Sequence, residues 1–321
     1  MLDFIKKLPK TETHLHIEGS LPFQLLKELN PNKFHTPPES WDKDFKFKSF
    51  EQFESHLLEH ALQWFTSSEN YYKAASIIFN KHLDQNVRYV ETSFHSGMIE
   101  FLEIPGPEII DAILSAVPKG LDVKVFMGMA RNGYTKKLGP ILEDSIHWKQ
   151  LSGIDLHGVE TLPIEPWAEK LWKASKDTGK CVKAHAGEFG DSNYVRDAIQ
   201  KLGIERIEHG VRAADCEETI QFLLDEDITL DICPISNVKL NVIDKMENHP
   251  IRKLQDRGVR CTVSTDDPFS FGNSLTDEYL ALANDLKFSK SELKRIAKNG
   301  FEIAWMPELK KTEIFEEIEL L

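Results

Sequence analysis

Two histidines separated by one residue lie near the start of the chain, at His14 and His16. Side chains at positions i and i+2 of a β-strand point to the same face of the sheet. The two imidazoles would therefore stand side by side, an arrangement that offers two nitrogen ligands to one metal ion. Gly19 follows, and its freedom to adopt backbone angles that other residues avoid is typical of a strand that ends in a tight turn.

Further side chains that bind metals or move protons lie at the ends of three later strand-like segments. They are His185 with Glu188, Glu208 with His209, and Asp266 with Asp267. Three histidines and one aspartate provide an N₃O donor set suited to Zn²⁺, namely His14, His16, His185 and Asp266. Such a site keeps room for a water whose lowered pKa allows attack on an electrophilic carbon near neutral pH. These residues predict one Zn²⁺ per chain and hydrolytic chemistry.

The remaining groups have the chemistry of acids, bases and hydrogen-bond acceptors. Burial near the metal would raise the pKa of Glu188, which could then protonate a leaving group or a ring nitrogen. His209 could take a proton from the water, or orient it while Asp266 shares the negative charge. Asp267 is a candidate acceptor from the substrate. Taken singly, each is as easily a core, turn or surface residue, but their recurrence at four strand ends favours an active site.

Eight short β-rich segments alternate with amphipathic segments along the chain. The predicted strands are residues 11–18, 87–94, 122–130, 151–157, 181–186, 206–211, 229–234 and 260–265. Eight strand–helix units favour a closed (β/α)₈ TIM barrel, whose strand ends gather catalytic groups on one face. A doubly wound open sheet is the alternative, but its first strand should lead into a Gly-rich phosphate-binding turn. Residues 18–22 are not such a turn.

We expect residues 1–321 to form a single barrel domain. The connection between the first two strands, residues 20–86, is far longer than an ordinary βα loop. It contains two helical patterns, which we expect to cover the barrel mouth; they span residues 50–65 and 70–83. Phe50, Phe53 and Leu57 could face the ligand, but aromatic residues at helical spacing more often pack into a core.

The chain has 52 acidic and 39 basic residues, a formal net charge of −13. This excess repels polyanions and argues against nucleic acids and anionic membranes as partners, whereas a small neutral or cationic ligand is compatible with it. No run is apolar and long enough for a signal core or a membrane span, so we expect a cytoplasmic protein. The four cysteines form no CxxC pair, and because most lie in apolar runs they should be buried free thiols; a homo-oligomer is left open.

In their order along the chain, these motifs resemble those of the adenosine deaminase family within the metal-dependent amidohydrolases. The matching segments are Leu8-Pro9-Lys10, Thr13-His14-Leu15-His16-Ile17-Glu18-Gly19, Gly153-Ile154-Asp155-Leu156-His157-Gly158-Val159-Glu160, His185-Ala186-Gly187-Glu188, Ile207-Glu208-His209-Gly210, Cys233-Pro234-Ile235-Ser236-Asn237 and Ser264-Thr265-Asp266-Asp267-Pro268. They span nearly the whole chain, and the set is highly specific although the separate pieces are not.

The resemblance implies a Zn²⁺ site formed by His14, His16, His185 and Asp266. It also implies that Glu188 protonates purine N1, while His209 and Asp266 act on the hydroxide that attacks C6. Collapse of the resulting tetrahedral adduct would give a 6-oxopurine and ammonia. The residues that the resemblance places on the substrate are His16, Glu18, Gly158 and Asp267. Of these, Gly158 would contact the purine through its backbone amide and Asp267 would meet N7.

The resemblance favours a 6-aminopurine as substrate, first adenosine or 2′-deoxyadenosine, which would give inosine or its deoxy form. Adenosine enzymes of the family usually carry Asp in place of Glu18, where it meets the ribose 5′-hydroxyl. Glu there resembles the adenine branch, because its additional methylene would push the carboxylate into ribose space. Residues 153–158 and 275–279 resemble the nucleoside branch instead, so adenine or a modified aminopurine is the alternative. A 5′-phosphate is disfavoured, since Glu18 would repel it.

Three other functions fit the sequence less well. A binuclear amidohydrolase would need a bridging Lys or acid from the fourth strand, which has no Lys and only one acid, Asp155. A polynucleotide deaminase carries His-x-Glu with Pro-Cys-x-x-Cys, whereas this chain has Cys233-Pro234 and lacks the second Cys. A catalytically dead purine-binding protein should have lost a ligand or Glu188, and none is missing.

Overall fold

Eight parallel strands pair in chain order in the computed structural model, which describes residues 1–321, and this confirms the predicted (β/α)₈ barrel. The strands are β1 (Lys10–His16), β2 (Val87–His95), β3 (Asp122–Ala130), β4 (Leu151–His157), β5 (Cys181–Ala186), β6 (Arg206–His209), β7 (Thr229–Ile232) and β8 (Arg260–Val263). Asp266 N donates to His14 O, and His16 N donates to Asp266 O, each at 3.1 Å. These bonds join the chain after β8 to β1, so the carboxyl ends of the strands meet at one face.

The last three strands are shorter than the sequence predicts. They end at His209, Ile232 and Val263, two residues before the predicted ends. His209 leaves β6 with a φ of 66°, and Asp266 has a φ of 64°. Non-glycine residues rarely adopt this left-handed conformation, and it marks places where the surrounding structure dictates the backbone. The two residues that follow each of these strands are also buried, so burial extends past the last strand residue.

Sixteen α-helices connect and surround the strands. They are α1 (Leu2–Lys7), α2 (Phe23–Leu29), α3 (Phe50–Trp64), α4 (Ser68–Asp84), α5 (Gly97–Leu102), α6 (Gly106–Ser115), α7 (Gly139–Asp144), α8 (Pro166–Asp177), α9 (Ser192–Leu202), α10 (Glu217–Asp225), α11 (Pro234–Lys239), α12 (Ile251–Asp256), α13 (Pro268–Phe271), α14 (Leu275–Asn284), α15 (Lys290–Ile303) and α16 (Glu308–Glu319). In helix α9, the Asp191 side chain caps the first turn and Gly203 ends the helix. Between them, Val195 and Ile199 are buried against the barrel. None of these helices has the length and apolar composition needed to cross a membrane.

The long connection between β1 and β2 covers the barrel mouth, as predicted. Its helices α3 and α4 begin after Ser49 and Ser67, whose side chains accept hydrogen bonds from the first turn. The Phe50 ring lies edge-on to Phe189, with 5.5 Å between the ring centroids. Phe53, in the next turn, packs into the aromatic core under the same helix. Helix α3 therefore closes over the loop that follows β5.

All four cysteines are free, as predicted. Cys233 and Cys261 are buried, whereas Cys181 and Cys216 are partly exposed. Burial raises the pKa of the Cys233 thiol well above its ordinary value, although the thiol lies 3.4 Å from His14 Nδ1. This sulfur therefore stays protonated and contributes packing rather than a metal ligand.

Candidate functional site

Four side chains from three strand ends converge at the centre of the barrel mouth. The His14 Nε2 atom lies 3.3 Å from His16 Nε2 and 3.1 Å from His185 Nε2. Asp266 Oδ1 lies 3.3 Å from His14 Nε2 and 3.2 Å from His16 Nε2. Around an ion with four ligands at about 2.0–2.1 Å, neighbouring donor atoms of a tetrahedron are roughly 3.3 Å apart. This spacing fits one divalent metal ion.

His209 lies on the other side of Asp266. His14, His185, His209 and Asp266 each bring one ligand atom within 4.8 Å of the others. The Nε2 atom of His209 is 3.9 Å from Asp266 Oδ2. This distance is longer than those from His14 Nε2 and His16 Nε2 to Asp266 Oδ1. Ser236 Oγ donates to that same Oδ2 at 2.7 Å and fixes the carboxylate plane. Because Oδ1 and Oδ2 face different partners, the distances favour His16 rather than His209 as the fourth member of the metal set.

Each histidine of this set has a partner on its second ring nitrogen. Glu208 Oε2 lies 2.8 Å from His14 Nδ1, Asp155 Oδ2 lies 3.1 Å from His185 Nδ1, and Ser93 Oγ lies 2.9 Å from His16 Nδ1. Such partners fix the ring orientation and leave Nε2 free for a metal. No local sequence motif identifies any of these partners. A carboxylate inside the short buried strand β6 is the signal that could have identified Glu208.

Glu208 is in turn held by a buried lysine. Lys183 Nζ lies 2.5 Å from Glu208 Oε1 and 3.0 Å from Glu91 Oε2, and it donates to Thr13 O at 2.8 Å. Burial alone would lower the pKa of Lys183, but the two carboxylates outweigh burial and raise it above its ordinary value. The lysine therefore stays charged and compensates the carboxylate beside His14.

Replacement of Glu208 by glutamine is expected to weaken binding of the metal by roughly 10- to 100-fold, because Gln removes the negative charge that lies 2.8 Å from His14 Nδ1. Competition between the protein and a chromogenic Zn²⁺ chelator measures this affinity. The matched control is Glu205→Gln, which changes an exposed glutamate just before the same strand. Equal affinities in the two variants would show that Glu208 does not orient the metal ligand.

Glu188 and His209 face each other beside the metal cluster. Glu188 Oε2 lies 3.5 Å from His209 Nε2, and Asn237 Nδ2 donates to Glu188 Oε1 at 3.3 Å. Burial, followed by the charge of Asp266, raises the pKa of Glu188 well above its ordinary value. Burial is also the largest cause that lowers the pKa of His209 well below its ordinary value. Both shifts favour the neutral forms of the two groups, a carboxyl beside an uncharged imidazole.

Asp267 and Gly158 lie where the sequence predicts, at the barrel mouth. Asp267 is buried, and its Oδ1 has no hydrogen-bond partner within the protein. Burial and the charge of Asp266 raise the pKa of Asp267 well above its ordinary value. Gly158 has a φ of 84°, which lets the chain turn after β4. The turn after β1 needs Gly19, since a Cβ there would lie 1.5 Å from Asp267 Oδ1.

Glu18 is also buried, but its oxygen atoms already have partners. Tyr71 Oη donates to Glu18 Oε1 at 2.5 Å, and His95 N lies 3.3 Å from both carboxylate oxygens. Close by, the His95 ring stacks on His157, with 4.9 Å between centroids, and His157 is 5.7 Å from the His16 ring. Both of these histidines are the last residues of their strands, β2 and β4, and reach the mouth. They form one wall beside the metal cluster.

Comparison with known proteins gives a consistent assignment. The sequence profile of the family described as adenosine deaminase matches residues 9–320. The chain is 33% identical over 326 residues to the adenine deaminase of Wolinella succinogenes, a match that covers 98% of each chain. It is 32% identical over 317 residues to the adenine deaminase of a Marinomonas species, covering 95% of this chain and 94% of the relative.

A solved structure extends the comparison to the fold. The crystal structure of adenine deaminase from Arthrobacter aurescens superposes with a TM-score of 0.85 at 24% sequence identity and covers 98% of each chain. At this identity the structural match supports only the fold, whereas the family profile and the two relatives establish membership of the family. The motifs at the strand ends predict the same assignment. The chain belongs to the adenosine deaminase family of the metal-dependent amidohydrolases.

Proposed function

We propose that the protein is a zinc-dependent adenine deaminase that converts adenine and water into hypoxanthine and ammonia. Family membership supports a hydrolase that deaminates an aminopurine. The observation that carries the proposal is the buried, protonated Glu188 carboxyl beside His209 and the four-donor cluster. An acid, an orienting imidazole and a metal set thus surround one small space at the barrel mouth.

Zn²⁺ is the metal that this donor set suits best, with three imidazole nitrogens from His14, His16 and His185 and one oxygen from Asp266. When bound, Zn²⁺ lowers the pKa of a water molecule and so supplies a nucleophile at neutral pH. The protein's own part is to hold the donors in place through Glu208, Asp155 and Ser93. A buried site lined by these groups also strengthens each electrostatic contact.

Glu188 is the general acid of the proposed reaction. Its carboxyl carries a proton because burial disfavours the charged form, and it donates that proton to purine N1 as the oxygen of water bonds to C6. Protonation at N1 draws electrons from C6 and stabilises the tetrahedral adduct. The bond from C6 to the exocyclic nitrogen then breaks and ammonia leaves. N1 therefore receives the proton of Glu188; of the two protons of the water, one restores the Glu188 carboxyl and the other passes by way of the Asp266 carboxylate to the departing amine, which leaves as ammonia.

His209 orients the attacking water rather than acting as its base. Asn237 Nδ2 lies 3.2 Å from His209 Nδ1, and an amide nitrogen only donates. Its amide oxygen is 3.2 Å from His249 Nε2, which agrees with this orientation of the amide. In the neutral ring, Nδ1 of His209 then accepts and Nε2 carries the proton, directed toward Glu188 and Asp266. The Nε2 proton can donate to the oxygen that attacks C6.

The remaining contacts place the purine. Asp267 Oδ1 has no partner in the protein and is buried, so it is free to hydrogen-bond with N7 when either the carboxyl or the ring carries the proton. The backbone amide of Gly158 meets the other side of the base. His16, whose ring lies beside His157, bounds the pocket next to the metal. A flat heterocycle is held on three edges by groups from separate strand ends.

The substrate is assigned as adenine rather than adenosine. The sequence motifs favour adenosine first and adenine second, whereas the two relatives are adenine deaminases and support the second substrate. Glu18 supports the same change. Tyr71 and His95 N hold its carboxylate in one position, so it closes the space where the family places the ribose hydroxyl.

The wild-type kcat/KM for adenine is expected to exceed that for adenosine by roughly 100-fold or more. Glu18→Asp should lower this ratio of adenine to adenosine by roughly tenfold, because a shorter carboxylate leaves room for ribose. Ultraviolet-monitored deamination by the zinc-loaded protein, with adenine, adenosine and 5′-AMP in parallel, measures both effects. The control is Glu28→Asp, on the exposed face of α2. A wild-type preference for adenosine would overturn the assigned substrate, and inactivity on all three purines would overturn the deaminase proposal.

A further inference from the structure

The loop that carries Glu188 is bound by a single buried carboxylate. Glu160 Oε2 accepts hydrogen bonds from the backbone N–H groups of Glu188, Phe189 and Gly190, at 3.1, 2.7 and 2.9 Å. Its other oxygen, Oε1, accepts from the N–H of Gly187. Four consecutive amides of the loop between β5 and α9 therefore point at one side chain, which is 4% exposed. Glu160 itself follows β4 by three residues.

This arrangement is built into the backbone of the loop. Gly187 has a φ of 69°, and consecutive N–H groups in such a turn form a concave site for an anion. At Gly190, a Cβ would lie 2.9 Å from Glu160 Oε1, so a side chain there would crowd the carboxylate. Hydrogen bonds from amides to an ionised carboxylate are about twice as strong as those to a neutral acceptor. The concave row of backbone N–H groups in the loop is therefore complementary to the Glu160 carboxylate.

A second contact joins the same parts of the barrel. Arg131, directly after β3, donates from Nη2 to His185 O at 3.1 Å and from Nη1 to Leu162 O at 3.0 Å. It therefore links the end of β5 to the segment that contains Glu160. Glu160 binds the loop immediately after this point. The position of Glu188 is thus set from outside its own loop, by the chain that follows β4.

We propose that Glu160 is a positioning residue that fixes the backbone of Glu188 so that its carboxyl meets N1 of the purine; this inference rests on the proposed function. Glutamate is the residue that the site requires. Glutamine has one acceptor oxygen and would direct its NH₂ group at one or more loop N–H groups. Aspartate is one methylene shorter and would not reach all four amides. Loss of the anchor lets Glu188 move, and a displacement of about 1 Å can cost 100-fold in rate.

Glu160→Gln is expected to lower kcat for adenine by roughly 10- to 100-fold with little change in KM and with bound zinc retained. Hydrogen exchange, followed by mass spectrometry, should show fast exchange of the amides at 187–190 in the variant and slow exchange in the wild type. The matched control is Glu165→Gln, the same change at an exposed position in the same loop. If Glu160→Gln does not fold, Glu160→Asp keeps the charge and should show the same effects to a smaller degree.

A pair of inhibitors separates positioning from a general loss of structure. Purine has N1, whereas 1-deazapurine has a C–H group in its place and cannot accept from Glu188. The wild type should bind purine more tightly, and Glu160→Gln should reduce that preference, because a displaced Glu188 no longer donates to N1. An unchanged kcat, or an unchanged preference for purine, in Glu160→Gln would overturn the positioning role while the deaminase proposal stands. A wild-type protein that deaminates no aminopurine would instead refute the proposed function, and slow exchange at 187–190 in Glu160→Gln would refute the anchor itself.

Discussion

Glu188→Gln is expected to fold, to keep its metal and to lose turnover of adenine by roughly 100-fold or more, the usual contribution of a positioned general acid. Glutamine has nearly the same shape as glutamic acid, so the contact with Asn237 can be kept. Its amide can still approach N1, but it has no acidic proton to transfer. The loss should therefore fall on kcat, while KM changes little.

The measurement is steady-state kinetics of adenine deamination, with zinc content and thermal unfolding recorded on the same preparations. Glu169→Gln provides the control, because this glutamate lies in the first turn of α8 and is exposed. A Glu188→Gln enzyme with turnover within a few-fold of the wild type would remove Glu188 from the proton transfer. A variant that also lost its zinc would place Glu188 in the support of the metal cluster instead.

The sequence predicts the barrel and the residues at its strand ends because both depend on local patterns. The spacing of His14 and His16 defines a common face of β1, and His185, His209 and Asp266 each lie at or just after the end of a recognisable strand. The ends of those strands are less predictable. His209 and Asp266 adopt positive φ under the constraint of the surrounding barrel, and no local pattern of residue types encodes this.

The supporting residues are the part that the sequence does not reveal. Glu208 contacts His14 across 194 positions and Glu160 reaches a loop 27 to 30 positions away, so neither pairing leaves a local trace. Tyr71 likewise meets Glu18 only because α4 folds over the barrel mouth. Motifs identify groups that perform chemistry, whereas the residues that hold those groups are identified only by the fold.

The buried charges below the metal cluster form a connected network. Arg206 donates to Glu91 and to Asp231, at 2.9 and 2.6 Å for its Nη2 atom, and Glu91 also contacts Lys183. Lys183 then reaches Glu208 and, through it, His14. Each charge has an opposite partner, which offsets the large cost of burying it. Such a network holds the His14 ring in a fixed orientation.

His185→Ala is expected to abolish stoichiometric zinc binding and, with it, deamination. The variant removes one of three imidazole donors and leaves a gap that solvent fills with a weaker ligand. It also leaves Asp155 without the imidazole that lies 3.1 Å from its carboxylate. Because a metal that binds only the folded protein stabilises it by mass action, the wild type should unfold at a higher temperature with zinc than without it, and His185→Ala should not.

Zinc content measured by plasma mass spectrometry, together with thermal unfolding in the presence of added zinc or a chelator, tests this expectation. His147→Ala is the matched control, since this exposed histidine lies before β4, far from the metal set in sequence. Retention of one zinc per chain in His185→Ala would refute the ligand assignment. His209, which brings a ligand atom within 4.8 Å of the same cluster, would then be the alternative ligand. A variant that keeps zinc but loses turnover would show that the His185 imidazole takes part in the reaction rather than in binding the metal.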